Sequence, residues 1–160
     1  MSNSATAALD WIQQTGPSTL VRQSSWAVMA LESVHLVGLA LLGGATVIVG
    51  LAALRAKGLG GLSVPTLVGG LAPVRRVGLA LMALSGALIA ASMPFKYYGN
   101  EAFRWKMSLL LVVLVASWLL QRLSADSTRA TTRSAARVLA LAVSLLWIAV
   151  GCCGRLIGFL

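Results

Sequence analysis

Four uncharged apolar runs dominate the pattern of hydrophobic and polar positions along the chain. They are Leu36 to Leu54, Val77 to Phe95, Met107 to Gln121 and Val138 to Gly154. With its flanks, each run approaches the roughly 17–25 residues that a helix needs to cross a bilayer. Backbone groups in hydrocarbon have no partners outside their own helix. The pattern therefore predicts transmembrane helices over about 26–55, 74–93, 102–123 and 136–160.

The first 25 residues have a different pattern, in which scattered apolar positions lie among polar ones. They predict a short interfacial helix that ends before Gly16-Pro17, a pair that interrupts helices. Trp11 and Trp26 suit the headgroup level of a membrane. Short connections between the long helices favour antiparallel neighbours. The predicted fold is all-α, a single integral membrane domain over 1–160: an antiparallel bundle of four transmembrane helices with a short N-terminal interfacial helix.

Small residues and loop residues refine this bundle. Ala40 with Gly44, and Gly86 with Ala90, recur at four-residue spacing and predict close approach between helices. The glycine-rich stretch around Pro65 predicts a loop that lies against the membrane, and the Ser/Thr/Arg stretch over 124–137 predicts a solvated loop.

Composition agrees with a membrane protein. Hydrophobic residues make up 58% of the 160 residues and charged residues only 11%, compared with about 25% charged in a soluble domain. Mean hydropathy is +0.87 and the isoelectric point is near 11.2. The net charge of +9 does not indicate nucleic acid, because the basic residues lie at the ends of apolar runs rather than in one stripe. The predicted partner is the lipid bilayer.

The distribution of Lys and Arg predicts the orientation. One side has eight of them: Arg55, Lys57, Arg75, Arg76, Arg122, Arg129, Arg133 and Arg137. The other side has five: Arg22, Lys96, Arg104, Lys106 and Arg155. The richer side is expected to be cytoplasmic. The N-terminus lacks the pattern of a cleaved signal peptide. We therefore predict a protein of the bacterial inner membrane with both termini periplasmic.

The candidate chemistry gathers at the predicted periplasmic end. Glu32 and His35 are three residues apart and share a helix face with Met29, and a carboxylate beside an imidazole can orient it or pair with it. Histidine, methionine and cysteine are ligands that suit copper. The predicted metal ligands are His35, Glu32, Met29, Met93, Cys152 and Cys153. Other polar residues expected nearby are Lys106, which could pair with Glu32, together with Asn100 and Arg155.

Three functions stay open from these residues. The first is the handling of a metal ion such as copper, with a periplasmic metal or redox protein as partner. The second is a subunit associated with haem or quinone. Haem is disfavoured because a chain with one histidine needs a second iron ligand of another kind, or a second chain. For a quinone, His35 could bind a carbonyl oxygen while Lys106 and Glu32 transfer protons. The third is a structural membrane anchor or assembly subunit, in which the polar residues serve helix packing only. Assembly into a homo-oligomer through the small-residue faces is a separate prediction. No catalytic constellation is present, so an enzyme is not expected.

Several stretches together resemble a known family. They are "ESVHLVGLALLGG", "LAPVRRVGLALMALSGAL" and "YGNEAFRWKMSLLLVV". They look like the small bacterial multi-pass membrane proteins of the family DUF6644, over about residues 8–121. Two patterns carry the resemblance, Glu-x-x-His-x-x-Gly and Asn-x-x-Phe-x-x-Lys, which fall here on Glu32, His35, Gly38, Asn100, Phe103 and Lys106. A weaker similarity is to the membrane domain of CopD-type copper-resistance proteins. The resemblance implies an architecture and a candidate site rather than an activity.

Overall fold

A computed structural model of the protein describes residues 3–55, 58–125 and 130–156. Eight helices account for nearly all of this part of the chain, so the predicted all-α class is confirmed. In chain order they are α1 (Asn3–Gln13), α2 (Gly16–Gln23), α3 (Ser25–Leu54), α4 (Val64–Gly70), α5 (Ala72–Ser92), α6 (Pro94–Tyr98), α7 (Glu101–Ala125) and α8 (Ala130–Leu156).

Four of these helices, α3, α5, α7 and α8, are long and apolar enough to cross a membrane. This confirms the prediction of a helical membrane bundle. Helix α8 begins at Ala130, earlier than predicted, and includes part of the stretch expected to be a loop. Residues 130–150 contain no glycine or proline that would stop a helix, and a polar composition alone does not prevent helix formation.

The short helices differ from the sequence prediction in two places. Pro17 lies in the first turn of α2, where the missing amide hydrogen costs nothing, so the Gly16-Pro17 pair starts a second helix after α1. Likewise, the stretch around Pro65 forms α4 rather than a loop. The Ser63 hydroxyl caps this helix by accepting a hydrogen bond from the Thr66 amide at 3.4 Å, and Pro65 occupies its first turn.

Helix α3 is the centre of the bundle. It packs against α5 on one side and α8 on another, and α7 packs mainly against α8; α5 and α7 share no comparable interface in the described chain. Apolar side chains from all four long helices form the core. Its members include Leu42, Met82, Val113, Leu120, Val143 and Trp147.

Two glycines allow α3 and α5 to cross closely. A Cβ atom on Gly38 would lie 2.7 Å from the Met82 amide nitrogen, and one on Gly78 would lie 2.6 Å from the Leu42 amide nitrogen. The close approach is therefore at Gly38 and Gly78. The prediction that Ala40 and Gly44 would provide it is wrong within this chain, because both are exposed and nothing lies within 4 Å of a Cβ atom placed on Gly44.

Candidate polar site between His35 and Lys106

The predicted site residues lie at one end of the bundle, called here the His35 end, where α3 and α7 begin and α5 and α8 finish. Ser85 precedes the end of α5 by seven residues, and Lys106 follows the start of α7 by five. At about 1.5 Å of rise per residue these positions lie about 10 Å and about 8 Å inside the helix ends. Both side chains therefore lie inside helices that are long enough to span a membrane, rather than in the loops.

His35 is held against α5. Its Nδ1 atom lies 3.0 Å from the Ser85 hydroxyl oxygen, and the ring also interacts with the backbone of Met82. The ring lies against Gly86, since a Cβ atom there would be 3.0 Å from the His35 Cε1 atom and 3.4 Å from Nδ1. The Ser85 hydroxyl and the space left by Gly86, which has no side chain, together position the imidazole between α3 and α5.

Lys106 approaches the same place from α7. Its Nζ atom would lie 3.5 Å from a Cβ atom on Gly154 of α8. The ammonium group is close enough to interact electrostatically with His35 and with the thiol of Cys153. In the described chain it has no hydrogen-bond or ion-pair partner. We call the residues His35, Ser85, Gly86, Lys106 and Gly154 the His35–Lys106 cluster.

Glu32 does not join this cluster. Its side chain is exposed, and within the described residues it forms no ion pair with Lys106 and no hydrogen bond with His35. Both pairings expected from the sequence are therefore absent. The carboxylate instead acts on Tyr97 in α6: burial raises the pKa of the Tyr97 phenol, and the negative charge of Glu32 raises it further.

The remaining predicted site residues have separate places. Met29 and Met93 are exposed, Cys152 is exposed and Cys153 is half-buried. The Asn100 side-chain oxygen accepts a hydrogen bond from the Phe103 amide at 3.1 Å, so it caps the start of α7. The side chain of Arg155 lies outside the described residues.

The assignment of these positions as metal ligands stays a prediction. No group of three or more His, Cys, Asp or Glu side chains that could hold a metal ion occurs there. An open groove lies elsewhere, between α3 and α8. None of its lining residues is ionisable, so it is not a candidate polar site. Its lining residues are Leu39, Gly43, Val47, Ser144, Trp147 and Ile148.

Sequence reasoning did not assign Ser85 to the site, and it assigned Gly86 only to helix packing. The available signal was the "SG" pair, a hydroxyl beside a glycine within an apolar run. Serine in a membrane helix usually bonds its own backbone, as Ser85 also does, so composition alone did not distinguish Ser85 from other buried serines. Its partnership with His35 depends on the register between α3 and α5, which the Gly38–Gly78 crossing sets.

Comparison with protein families identifies the chain. A family model described as "Family of unknown function (DUF6644)" matches residues 18–160, further toward the C-terminus than the sequence resemblance extended. The chain therefore belongs to this family. Comparisons with curated proteins and with solved structures gave no match, so the similarity to CopD-type proteins is not confirmed.

Proposed function

We propose that this member of the DUF6644 family binds the headgroup of a membrane quinone at the His35–Lys106 cluster. One observation carries the proposal: within helices long enough to span a membrane, the ammonium group of Lys106 lies within electrostatic range of the His35 imidazole, and it has no hydrogen-bond or ion-pair partner in the described chain. A cation in an apolar environment is costly unless it is paired. Ionisable groups within spanning helices mark functional sites by default.

A quinone headgroup meets the requirements of such a site. Its carbonyl oxygens accept hydrogen bonds, which Lys106 can donate, and its ring and tail dissolve in the bilayer, so the ligand can reach this depth without crossing water. The long helices are open to lipid, and α5 and α7 share no packed interface that would close the region between them. The ligand can therefore approach from the membrane.

Copper handling is supported less well by the same geometry. The thiol of Cys153 and the imidazole of His35 both lie within electrostatic range of the Lys106 ammonium, whose positive charge repels a metal cation. Four further points stay predictions from the sequence: copper binding, a haem shared with a partner, a periplasmic metal or redox partner, and the absence of enzymatic activity.

Lys106→Met tests the proposal, with Lys96→Met as the matched control. Lys96 is an exposed lysine of α6 at the same end of the bundle. The protein in phosphatidylcholine nanodiscs is titrated with a short-chain benzoquinone, and binding is followed by quenching of tryptophan fluorescence. A hydrogen bond to a charged group contributes about 1.5–3 kcal/mol, so Lys106→Met should weaken binding about ten- to a hundredfold, whereas Lys96→Met should leave it unchanged.

Two outcomes contradict the proposal. One is equal quinone affinity in Lys106→Met and the unmodified protein. The other is retention of phosphatidylglycerol, seen by native mass spectrometry and dependent on Lys106, with no quinone binding in any sample; that result assigns the ammonium to an anionic lipid headgroup instead.

A further inference from the structure

The Ser85 hydroxyl has its only hydrogen committed to its own helix. Its Oγ atom donates to the Leu81 carbonyl at 2.5 Å, with the Met82 carbonyl as a second acceptor at 3.4 Å. A serine hydroxyl has one hydrogen and two lone pairs. With that hydrogen directed at carbonyls of α5, the oxygen faces His35 as an acceptor.

This arrangement determines the tautomer of His35. The Nδ1 atom, 3.0 Å from Ser85 Oγ, must donate, so in the neutral ring the proton is on Nδ1 and Nε2 has the lone pair. In the described chain Nδ1 is the ring nitrogen that bonds Ser85, a backbone hydrogen bond also joins the ring to Met82, and Nε2 is not among the buried side-chain atoms without a partner. Gly86 keeps the ring in place, because any side chain there would push against Cε1. His35 thus presents a hydrogen-bond acceptor.

We infer that the site selects the reduced form of its ligand, a hydroquinone, and that Ser85 is the positioning residue for this selectivity. The inference rests on the proposed quinone site. A hydroquinone hydroxyl can donate to Nε2, whereas a quinone has only acceptor oxygens and would place one against a lone pair. Lys106 donates to oxygen in either form and does not discriminate. The inference concerns binding, so no electron transfer is involved.

The tautomer is measurable because His35 is the only histidine in the chain. With ¹⁵N-labelled histidine, the two ring nitrogens give separate signals whose proton couplings report which one is protonated, at a pH where the ring is neutral. The unmodified protein should show the Nδ1–H form, and Ser85→Ala should show a mixture. Ser92→Ala is the matched control, because Ser92 is another buried α5 serine whose hydroxyl donates to a backbone carbonyl, that of Ile89 at 2.7 Å, and it should keep the Nδ1–H form.

Selectivity is then measured anaerobically by titration with duroquinol and duroquinone. One neutral hydrogen bond should make the hydroquinone bind about five- to tenfold more tightly. Ser85→Ala should lose this preference while it still binds both forms through Lys106, and Ser92→Ala should retain the preference.

The outcomes separate the inference from the proposed function. An Nε2–H tautomer in the unmodified protein overturns the role of Ser85. The Nδ1–H tautomer with equal or tighter binding of duroquinone overturns the selectivity and leaves the quinone site standing. Binding of neither ligand, whatever the tautomer, overturns the proposed site and the ligand selectivity together.

Discussion

Buried serine hydroxyls differ in whether they are satisfied. Ser92 and Ser117 are 3% and 4% exposed. Ser92 donates to the Ile89 carbonyl, whereas Ser117 Oγ has no hydrogen-bond partner among the described residues. A buried polar group without a hydrogen bond costs about 1–3 kcal/mol, so these two residues should respond to alanine in opposite ways.

Ser117→Ala should stabilise the protein by about 1 kcal/mol, because it removes an unsatisfied hydroxyl and keeps the packing. Ser92→Ala should destabilise it by about 1 kcal/mol through loss of a satisfied bond. Thermal unfolding in detergent compares the two variants with the unmodified protein. A lower melting temperature for Ser117→Ala would contradict the assignment of an unpaired hydroxyl.

Tyr97 reports on the position of Glu32. Because burial and the charge of Glu32 both raise the pKa of Tyr97, Glu32→Gln should lower that pKa toward the ordinary value of about 10. Tyrosinate absorbance, taken as a difference from the Tyr97→Phe protein, measures the titration. The exposed acid Glu101 supplies the control, and Glu101→Gln should leave the curve in place. An unchanged curve for Glu32→Gln would mean that the carboxylate lies elsewhere.

The same pKa shift predicts a pH dependence of stability. A raised phenol pKa means that the fold favours the protonated ring over the phenolate. The resulting stabilisation is fully present below about pH 10, the unfolded pKa, and is lost as the pH rises through the folded pKa. Tyr97→Phe should remove this part of the alkaline dependence, and a denaturant titration at each pH detects the difference.

At the scale of helices, the crossing of α3 and α5 depends on two glycines. Gly78→Ala should cost about 1–3 kcal/mol, because the added methyl group meets the backbone of α3 and cannot be relieved by a side-chain rotation. Gly44→Ala is the control, because nothing lies within 4 Å of a Cβ atom placed on Gly44. This substitution should leave the stability of the protein unchanged or raise it by up to about 1 kcal/mol. Unfolding by increasing SDS in mixed micelles measures both. Equal stabilities would show that the helices are further apart.

A hydrogen bond from one arginine links α4 to α5, and α4 also packs against α7 and α3. Arg75 is 8% exposed, and its Nη2 atom donates to the Val68 carbonyl at 3.0 Å. Arg75→Ala should release α4 and increase hydrogen exchange over residues 64–70, because that helix is too short to be stable alone. Arg76→Ala removes the exposed arginine next to Arg75 and should leave hydrogen exchange over residues 64–70 unchanged. Unchanged exchange in the Arg75 variant would show that apolar contacts hold α4.

The long helices could be predicted because their apolar runs match the thickness of a bilayer, and this property is local to each run. The short helices α2 and α4 could not, because proline has opposite effects in the first turn and the interior of a helix, and the sequence did not show which applied. The helix start at Ala130 was missed for a related reason, since polar composition predicts solvation better than it predicts loop structure.

At the scale of the whole molecule, sequence placed His35 and Lys106 at one end but paired them with the wrong neighbours. The spacing of Glu32 and His35 fixed their separation along α3, yet rotation of α3 directs His35 toward Ser85 and leaves Glu32 exposed. That rotation follows from the glycine crossing between two helices, a relation that no single segment contains. Charge counts identify which end a residue occupies, whereas helix packing decides which side chains meet.

Orientation in the membrane is the global property that the charge distribution predicts, with the His35 end periplasmic. Two exposed positions at opposite ends test it, Leu62 and Tyr98. In a background with Cys152→Ser and Cys153→Ser, Tyr98→Cys should react with a membrane-impermeant maleimide in intact spheroplasts. Leu62→Cys should react only after the membrane is permeabilised, because the excess of arginine keeps its end cytoplasmic. The reverse labelling pattern would place the His35–Lys106 cluster at the cytoplasmic end of the bundle and contradict the predicted orientation.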